Sequence, residues 1–449
     1  MATPVGGDLQ CDHISSLPES ILVTILSSLP MDEAARCSIL SSRWRHLFPS
    51  TLVDFRAFTR SGWNVVKAVT SILAAYPDEP IRSFRTGMLF FRPQDKDAVD
   101  GWLRDLANRG IQELSLCFNC FGDKRQRIPE SLFACSSLKR LQVINGTFPD
   151  TTEAAAASLA RLTKIELFDV KTSEDSLNSL LSQCTALEHL TIKSIGKLDS
   201  LHVRSRSLKV LNSSGDVEDL IIDDAPNLER VLGRFMNQRE VSIKVVNAPK
   251  LEFLGCLGMS NKIEIGDTSL KKQTIRVKTL MPSMKTLAVE MSYGEQGYIN
   301  WFRQLLKVFP CLETLYIKRD SSSAVEDTAS GLWGLRRSVP CIDNHLQKVV
   351  FQVFRGHEWE TEMAKFLHGR SKFLKTMEFH CMDDTGKQDY GKAPSEEWVR
   401  EQQELLCLDS RAARDARFQF FKGQLVDNHH EHYDNERYHK DYYRDLYNV

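Results

Sequence analysis

The sequence has almost no net charge: 58 Lys and Arg stand against 59 Asp and Glu, a formal −1 at pH 7. That balance leaves no overall basic field to draw in nucleic acid or an anionic membrane, so neither is expected as a partner. No apolar run approaches the roughly 20 residues that span a bilayer. The opening residues, MATPVGGDLQCDHISS, lack the basic start and apolar stretch of a secretory signal. An intracellular protein, nuclear or cytoplasmic, is therefore expected. Catalytic signatures are equally scarce. No Gly-rich phosphate loop, H-E-x-x-H or G-x-S-x-G occurs, and plentiful Cys, His and Asp do not make a nucleophile without geometry. Neither enzymatic activity nor a cofactor is expected.

The 11 cysteines run from Cys11 to Cys407 in mostly apolar surroundings, which reads as reduced, buried thiols. Cys117 and Cys120 form one C-x-x-C, but no second pair follows to complete four zinc ligands. His429, His430, His432 and His439 lie in DNHHEHYDNERYHKDYYRDLYNV, a polar tract whose composition needs no metal to account for it. No metal site is expected.

What is present is a folded composition, 42% hydrophobic and 26% charged, close to the globular average. Near the amino terminus, LPESILVTILSSL places Leu22, Ile25, Leu26 and Leu29 on one helical stripe with Ile21 beside it. Pro18 suits the first helical position, and Pro30 stops the helix. Asp32 can cap a second helix, EAARCSIL, with Ala35, Ile39 and Leu40 on its apolar side. Ser41 or Ser42 can cap a third, which carries Trp44 and Leu47 and ends at Pro49. Three helices this short bury little area. The residues alone fit either a docking module that completes its core on a partner or a helical cap sealing the adjoining part of the chain.

The stretch DHISSLPESILVTILSSLPMDEAARCSILSSRWRHLFPS resembles a plant F-box. Leu17-Pro18, the Ile-Leu helix, Leu29-Pro30, Ala-Ala-Arg-x-Ser and Ser-x-Arg-Trp-Arg come in the usual order. The resemblance implies docking on a Skp-type adaptor held by a cullin scaffold. By that resemblance Leu17, Pro18, Ile21, Leu22, Ile25, Leu29 and Pro30 would supply much of the apolar contact, with Trp44 and Leu47 closing its far end, and some of these residues must also serve the module's own core.

From about residue 110 an aliphatic pattern recurs at relative positions 1, 4 and 6: Leu138-Leu141-Val143, Leu162-Ile165-Leu167, Leu187-Leu190-Ile192, Leu251-Leu254-Cys256, Met284-Leu287-Val289 and Leu312-Leu315-Ile317. Leu208-Leu211 and Leu228 through Leu232 are weaker copies. The spacing fits leucine-rich repeats of roughly 20–29 residues with later insertions. Positions 4 and 6 alternate with polar residues, so each repeat supplies a strand, and neighbours must stack to bury its apolar face. EDSLNSLLSQCTALEHL predicts helix then strand, as does YINWFRQLLKVFPCLETL. The outward strand residues would form a concave binding face for a protein target: Arg140, Gln142, Lys164, Glu166, His189, Thr191, Lys193, Glu290, Thr314, Tyr316 and Lys318.

Residues 320–340 are expected to form a polar insertion loop. HLQKVVFQVFRGHEWETEMAKFLHGRSKFLKTMEF then reads strand, helix, strand, with Met363, Phe366 and Leu367 on one helix side. It is similar to the FBD region of plant F-box proteins at Phe354-Arg355-Gly356, Phe366-Leu367 and Leu374-Lys375-Thr376-Met377. LCLDSRAARDARFQFF is similar to the terminal segment found after that region in grass members. The expected fold is α/β: a three-helix F-box (12–52), a linker with irregular repeats (53–110), a leucine-rich-repeat solenoid with a curved parallel sheet and helices on its convex side (111–319), the insertion (320–340), an FBD-like cap (341–421) and a mobile polar tail (422–449). Residues 56–110 and 256–283 depart from the repeat pattern. The function implied is target recruitment to a ubiquitin ligase; a repeat scaffold without ligase role and a receptor gated by a small molecule are the alternatives.

Overall fold

A helix of ten residues, α1 (Glu19–Ser28), begins directly after Pro18. Pro18 stands one position earlier than expected, as the N-cap residue, and its carbonyl accepts the N–H groups of Ile21 and Leu22 at 3.0 and 3.2 Å. Then come α2 (Met31–Cys37) and α3 (Ser42–Leu47). Asp32 lies inside α2 instead of capping it, and α2 ends before Ile39 and Leu40. The cap of α3 is Ser41, whose Oγ accepts the Trp44 N–H at 3.4 Å. The computed structural model describes residues 14, 16–29, 31–37, 39–47, 52–54, 65–75, 80–89, 95–118, 125–193, 198–214, 217–233, 241–271, 274–291, 296–319, 338–381 and 395–422. Two compact units divide the chain, Met1–Leu198 and Asp199–Val449.

After α3 the first unit runs β1 (Leu52–Asp54), α4 (Val65–Ala75), β2 (Ser83–Leu89), α5 (Lys96–Asn108), β3 (Glu113–Phe118), a 3-10 turn at Glu130–Ala134, β4 (Arg140–Thr147), α6 (Glu153–Ala157), β5 (Lys164–Lys171), α7 (Glu174–Gln183) and β6 (His189–Lys193). Its strands pair in chain order, all parallel. A repeated device sets their register. The carbonyl of Gln112 accepts the N–H groups of both Lys139 and Arg140; Lys139 does the same for Thr163 and Lys164, and Thr163 for Glu188 and His189. Each carbonyl thus uses both lone pairs to hold the next turn one strand away. Leu138, Leu162 and Leu187 enter these turns fully buried, as the pattern predicts. Ser173 caps α7 by accepting the Ser176 N–H, and the helix buries Leu177, Leu180 and Leu181.

Buried thiols tie turns to the preceding repeat. Cys135 Sγ donates to the Leu103 carbonyl at 3.5 Å, and Cys184 Sγ to that of Leu159 at 3.5 Å. Burial pushes these thiols up to about 11 and about 12, so they stay protonated and unreactive near neutral pH.

The second unit runs β7 (Leu198–Arg204), β8 (Val210–Ser214), β9 (Val217–Asp224), β10 (Arg230–Leu232), β11 (Ser242–Val245), β12 (Phe253–Leu257), β13 (Lys262–Ile265), β14 (Thr268–Leu270), β15 (Ile275–Arg276) and β16 (Thr286–Met291). It continues with α8 (Gln296–Val308), β17 (Thr314–Arg319), α9 (Pro340–Asn344), β18 (Lys348–Phe354), α10 (Glu358–His368), β19 (Thr376–Cys381), α11 (Glu396–Leu405) and β20 (Arg417–Lys422). One sheet takes the parallel order β8-β10-β12-β16-β17-β18-β19-β20. The FBD-like segment therefore continues the ladder with three more strands.

Here the expectation of helices between strands fails. The connections between β8, β10, β12 and β16 are themselves strands, joined with β7 in a second sheet of order β7-β9-β11-β13-β14-β15. The cause is visible in the segments: Leu220-Ile222, Ile243-Val245 and Ile263-Ile265 bury alternate residues, a period of two that a helix cannot satisfy. A second correction concerns Leu251-Leu254-Cys256. The pairing of β12 with β16 shifts between Leu254 and Leu257, so Leu257 takes the inner position and Cys256 is left half-buried. Among the described residues no helix is long and apolar enough to cross a membrane. Residues 320–337 of the expected insertion, the tail from 423 onward with its histidines, and Cys120 lie outside the described residues.

Candidate functional site

The three amino-terminal helices close a small core of Leu22, Leu26, Ala34, Trp44 and Leu47. Arg43 Nη2 donates to the Leu17 carbonyl at 2.7 Å, fastening α3 to the start of α1. Of the residues expected to contact an adaptor, Leu22, Trp44 and Leu47 thus point inward. Ile21, next to Leu22 but one helical step round, is 46% exposed, and Pro18 is also exposed. Leu17, Ile25 and Leu29 are half-buried, and Pro30 lies outside the described residues. Three apolar residues absent from the expected contact set are exposed as well: Ile14, Ile39 at 77% and Leu40. Ile39 and Leu40 were expected on the inner side of α2; instead they form the turn after it, with their N–H groups bonded to the carbonyls of Arg36 and Cys37.

The sheet of the first unit presents a second surface. Its inward residues, Leu114, Leu141, Ile165 and Leu190 among them, are buried, while the alternate positions face out. Parallel pairing aligns these in rows across neighbouring strands. One row carries Glu113, Arg140, Lys164 and His189, and the next Ser115, Gln142, Glu166 and Thr191. A third carries Cys117, Ile144, Phe168 and Lys193. All seven target-face residues expected on β4–β6 fall in these rows. They also bond to one another: Ser115 Oγ donates to Gln142 Oε1 at 2.7 Å, Gln142 Nε2 to Glu166 Oε2 at 3.5 Å, and Lys164 Nζ lies 3.0 Å from Glu166 Oε1.

The corresponding face of the second unit differs from expectation at two residues. Thr314 and Lys318 are half-buried, but Tyr316 is only 4% exposed and Glu290 only 1%. Tyr316 sits in an apolar cluster with Leu232, Phe253, Ala288 and Val350, all at outward register positions. The strand pattern marks these positions as outward without showing that apolar neighbours gather there. Next in the row is Glu378 on β19, 2.8 Å from Lys348 and 3.8 Å from His380. Burial raises its pKa, but the hydrogen bonds from His380 and Lys348 outweigh this and hold it below the ordinary carboxylate value. Among the described residues no three His, Cys, Asp or Glu gather as they would around a metal ion.

A small helical module with exposed apolar residues, joined to a ladder of parallel strands with patterned faces, defines a protein-interaction molecule built on repeats. Comparison with known families is specific. The F-box domain model matches residues 14–55, the leucine-rich repeats of FBD-associated F-box protein At5g56370 match 99–317, and the FBD model matches 336–379. Among curated proteins, F-box/LRR-repeat protein 13 of Arabidopsis thaliana is 25% identical over 431 residues, covering 85% of this chain and 92% of that protein. F-box/FBD/LRR-repeat protein At3g52680 of the same plant is 25% identical over 397 residues, covering 82% of this chain and 85% of that one. F-box/FBD/LRR-repeat protein At1g13570 is 30% identical over 227 residues, 48% of this chain and 52% of that one. The chain is a plant-type F-box/leucine-rich-repeat protein with an FBD region.

Proposed function

We propose that this chain is the substrate-recognition subunit of a Skp–cullin–F-box ubiquitin ligase. The F-box docks on a Skp-type adaptor, a cullin scaffold holds that adaptor, and the repeats hold a protein target. One observation carries the reading. The F-box match at 14–55 coincides with a module that has closed its own core yet leaves Ile14, Ile21, Ile39 and Leu40 exposed. So much exposed aliphatic surface on so small a unit calls for a partner. The chain itself catalyses nothing; it acts inside the cell, in nucleus or cytoplasm, by raising the effective concentration of target beside an enzyme on another subunit.

The test is capture of a purified plant Skp-type adaptor by the full chain and by an Ile21→Ala/Leu40→Ala variant. The variant is expected to bind at least about tenfold more weakly, about 1.4 kcal/mol, with an unchanged melting profile. Equal capture by both would place the contact elsewhere. A well-folded parent that captures no adaptor would leave a repeat scaffold without a ligase role.

A further inference from the structure

Among the described residues the ladder of the second unit ends at β20. Up to that point each turn is held by the one before: the Glu313 carbonyl accepts the N–H groups of Gln347 and Lys348, that of Gln347 those of Lys375 and Thr376, and that of Lys375 the N–H of Arg417. The next carbonyl in the series, that of Ala416, accepts no backbone N–H among the described residues, and no described strand pairs with β20 on its outer side. Because the Arg417 N–H turns toward β19, strand alternation turns those of Phe418 and Phe420 to the open edge. The core is open there as well. Phe351, Phe379 and Phe420 stack in register with centroids 5.3 and 4.7 Å apart, but the first two are fully buried, whereas Phe420 and Phe418 are only half-buried. On the other face Arg417 and Phe421 are exposed, and Arg417 forms no ion pair among the described residues. Such an edge is a template for another strand.

We infer that residues 443–449 of the same chain dock on this edge as a further parallel strand, with Asp445 beside Arg417. The step that leads from Thr286 to Thr314, and again from Lys348 to Thr376, joins equivalent places on neighbouring strands. Taken once more from Arg417, it arrives at Asp445. In that register Leu446 lies beside Phe418, Tyr447 beside Gln419 and Val449 beside Phe421. Opposite charges meet, and apolar residues meet on both faces of the sheet. Tyr443 and Leu446 take positions 1 and 4 of the repeat; Asn448, at position 6, is the one departure from its pattern. The intervening residues, 423–442, exceed the roughly dozen that a parallel crossover needs. Tethering also favours this segment over a second copy of the chain, since a short linker holds it at an effective concentration on the order of millimolar. The inference goes beyond the ligase reading and does not depend on it.

Hydrogen exchange on the full chain tests it. The Phe418 and Phe420 amides should exchange at least about tenfold more slowly in the parent than in Leu446→Asp or in a chain ending at Lys440, with exchange in β17 unchanged. A synthetic peptide of residues 441–449 should restore protection to the shortened chain. In Arg417→Lys, a zero-length carbodiimide should couple position 417 to Asp445, detected by mass spectrometry of the digest. Equal exchange at Phe418 and Phe420 in parent and variants would leave the edge to a partner protein and overturn the inference. Protection that vanishes on dilution, as a dimer dissociates in light scattering, would assign the edge to a second copy. Protection without the 417–445 cross-link would show that a different segment or register covers β20, and either result would equally overturn it.

Discussion

Ile21 and Leu22 are adjacent on α1, yet one is 46% exposed and the other fully enclosed. A helix turns about 100° per residue, which is enough to carry one side chain from solvent to core. Leu22→Ala should therefore cost about 2–5 kcal/mol and unfold the module, whereas Ile21→Ala should leave its stability intact; near-identical melting curves for the two variants would contradict the assignment. The same contrast holds on β4. Leu141→Ala should destabilise by about 2–5 kcal/mol, and Arg140→Ala, one residue away on the open face, by no more than about 0.5. Urea titration of the pair measures it directly. Tyr316 belongs with the core residues: removing its ring from the cluster with Ala288 and Val350 should lower stability by about 3–5 kcal/mol, so it is a poor probe of target contact.

At the scale of elements, the FBD region is held by α10, where Glu360 is buried and its Oε2 accepts the N–H groups of His357 at 2.9 Å and Arg355 at 3.1 Å. Burial raises the Glu360 pKa from 4.5 to about 7, against the pull of those N–H groups and of Arg319. Between these values the folded protein retains a proton that the unfolded chain releases. The associated stabilisation is complete below pH 4.5 and is lost as pH rises through about 7. Melting temperatures of the parent and Glu360→Gln across that window should move in the variant's favour with rising pH; a constant difference would show that Glu360 does not titrate there. A second element-level constraint lies between β12 and β16. A Cβ added to Gly255 would meet Ala288 Cβ at 2.5 Å and its backbone N at 2.9 Å. Gly255→Ala should consequently cost about 1–3 kcal/mol by overpacking, read as a lower unfolding midpoint.

For the molecule, the terminal strands matter most. Each strand of the second unit's main sheet is paired on both sides except at the ends of the ladder, and β18, β19 and β20 cover the edge that β17 would otherwise expose. Removing residues from 341 onward should leave an unpaired β17 with Leu315 and Ile317 uncovered, so the truncated chain should aggregate, seen as loss of soluble yield and rise in light scattering. A soluble, monomeric product would show that the FBD region is not needed as a cap.

The aliphatic spacing was enough to specify the inward residues of β4, β5, β6, β16 and β17, because burial in a stacked ladder requires the same residue type at the same offset in each repeat. The helix–strand order around α7 and α8 followed from local periodicity for the same reason. Other features depend on contacts distant in sequence. Whether Leu22 or Ile21 faces outward depends on where α3 packs, and the burial of Tyr316 depends on residues contributed by neighbouring strands. The replacement of helices by a second sheet between β8 and β16 also needs partners: a lone Ile243-x-Val245 is compatible with several conformations until β9 and β13 lie on either side of it. Periodicity encodes which side of an element is apolar; what meets that side is settled by packing.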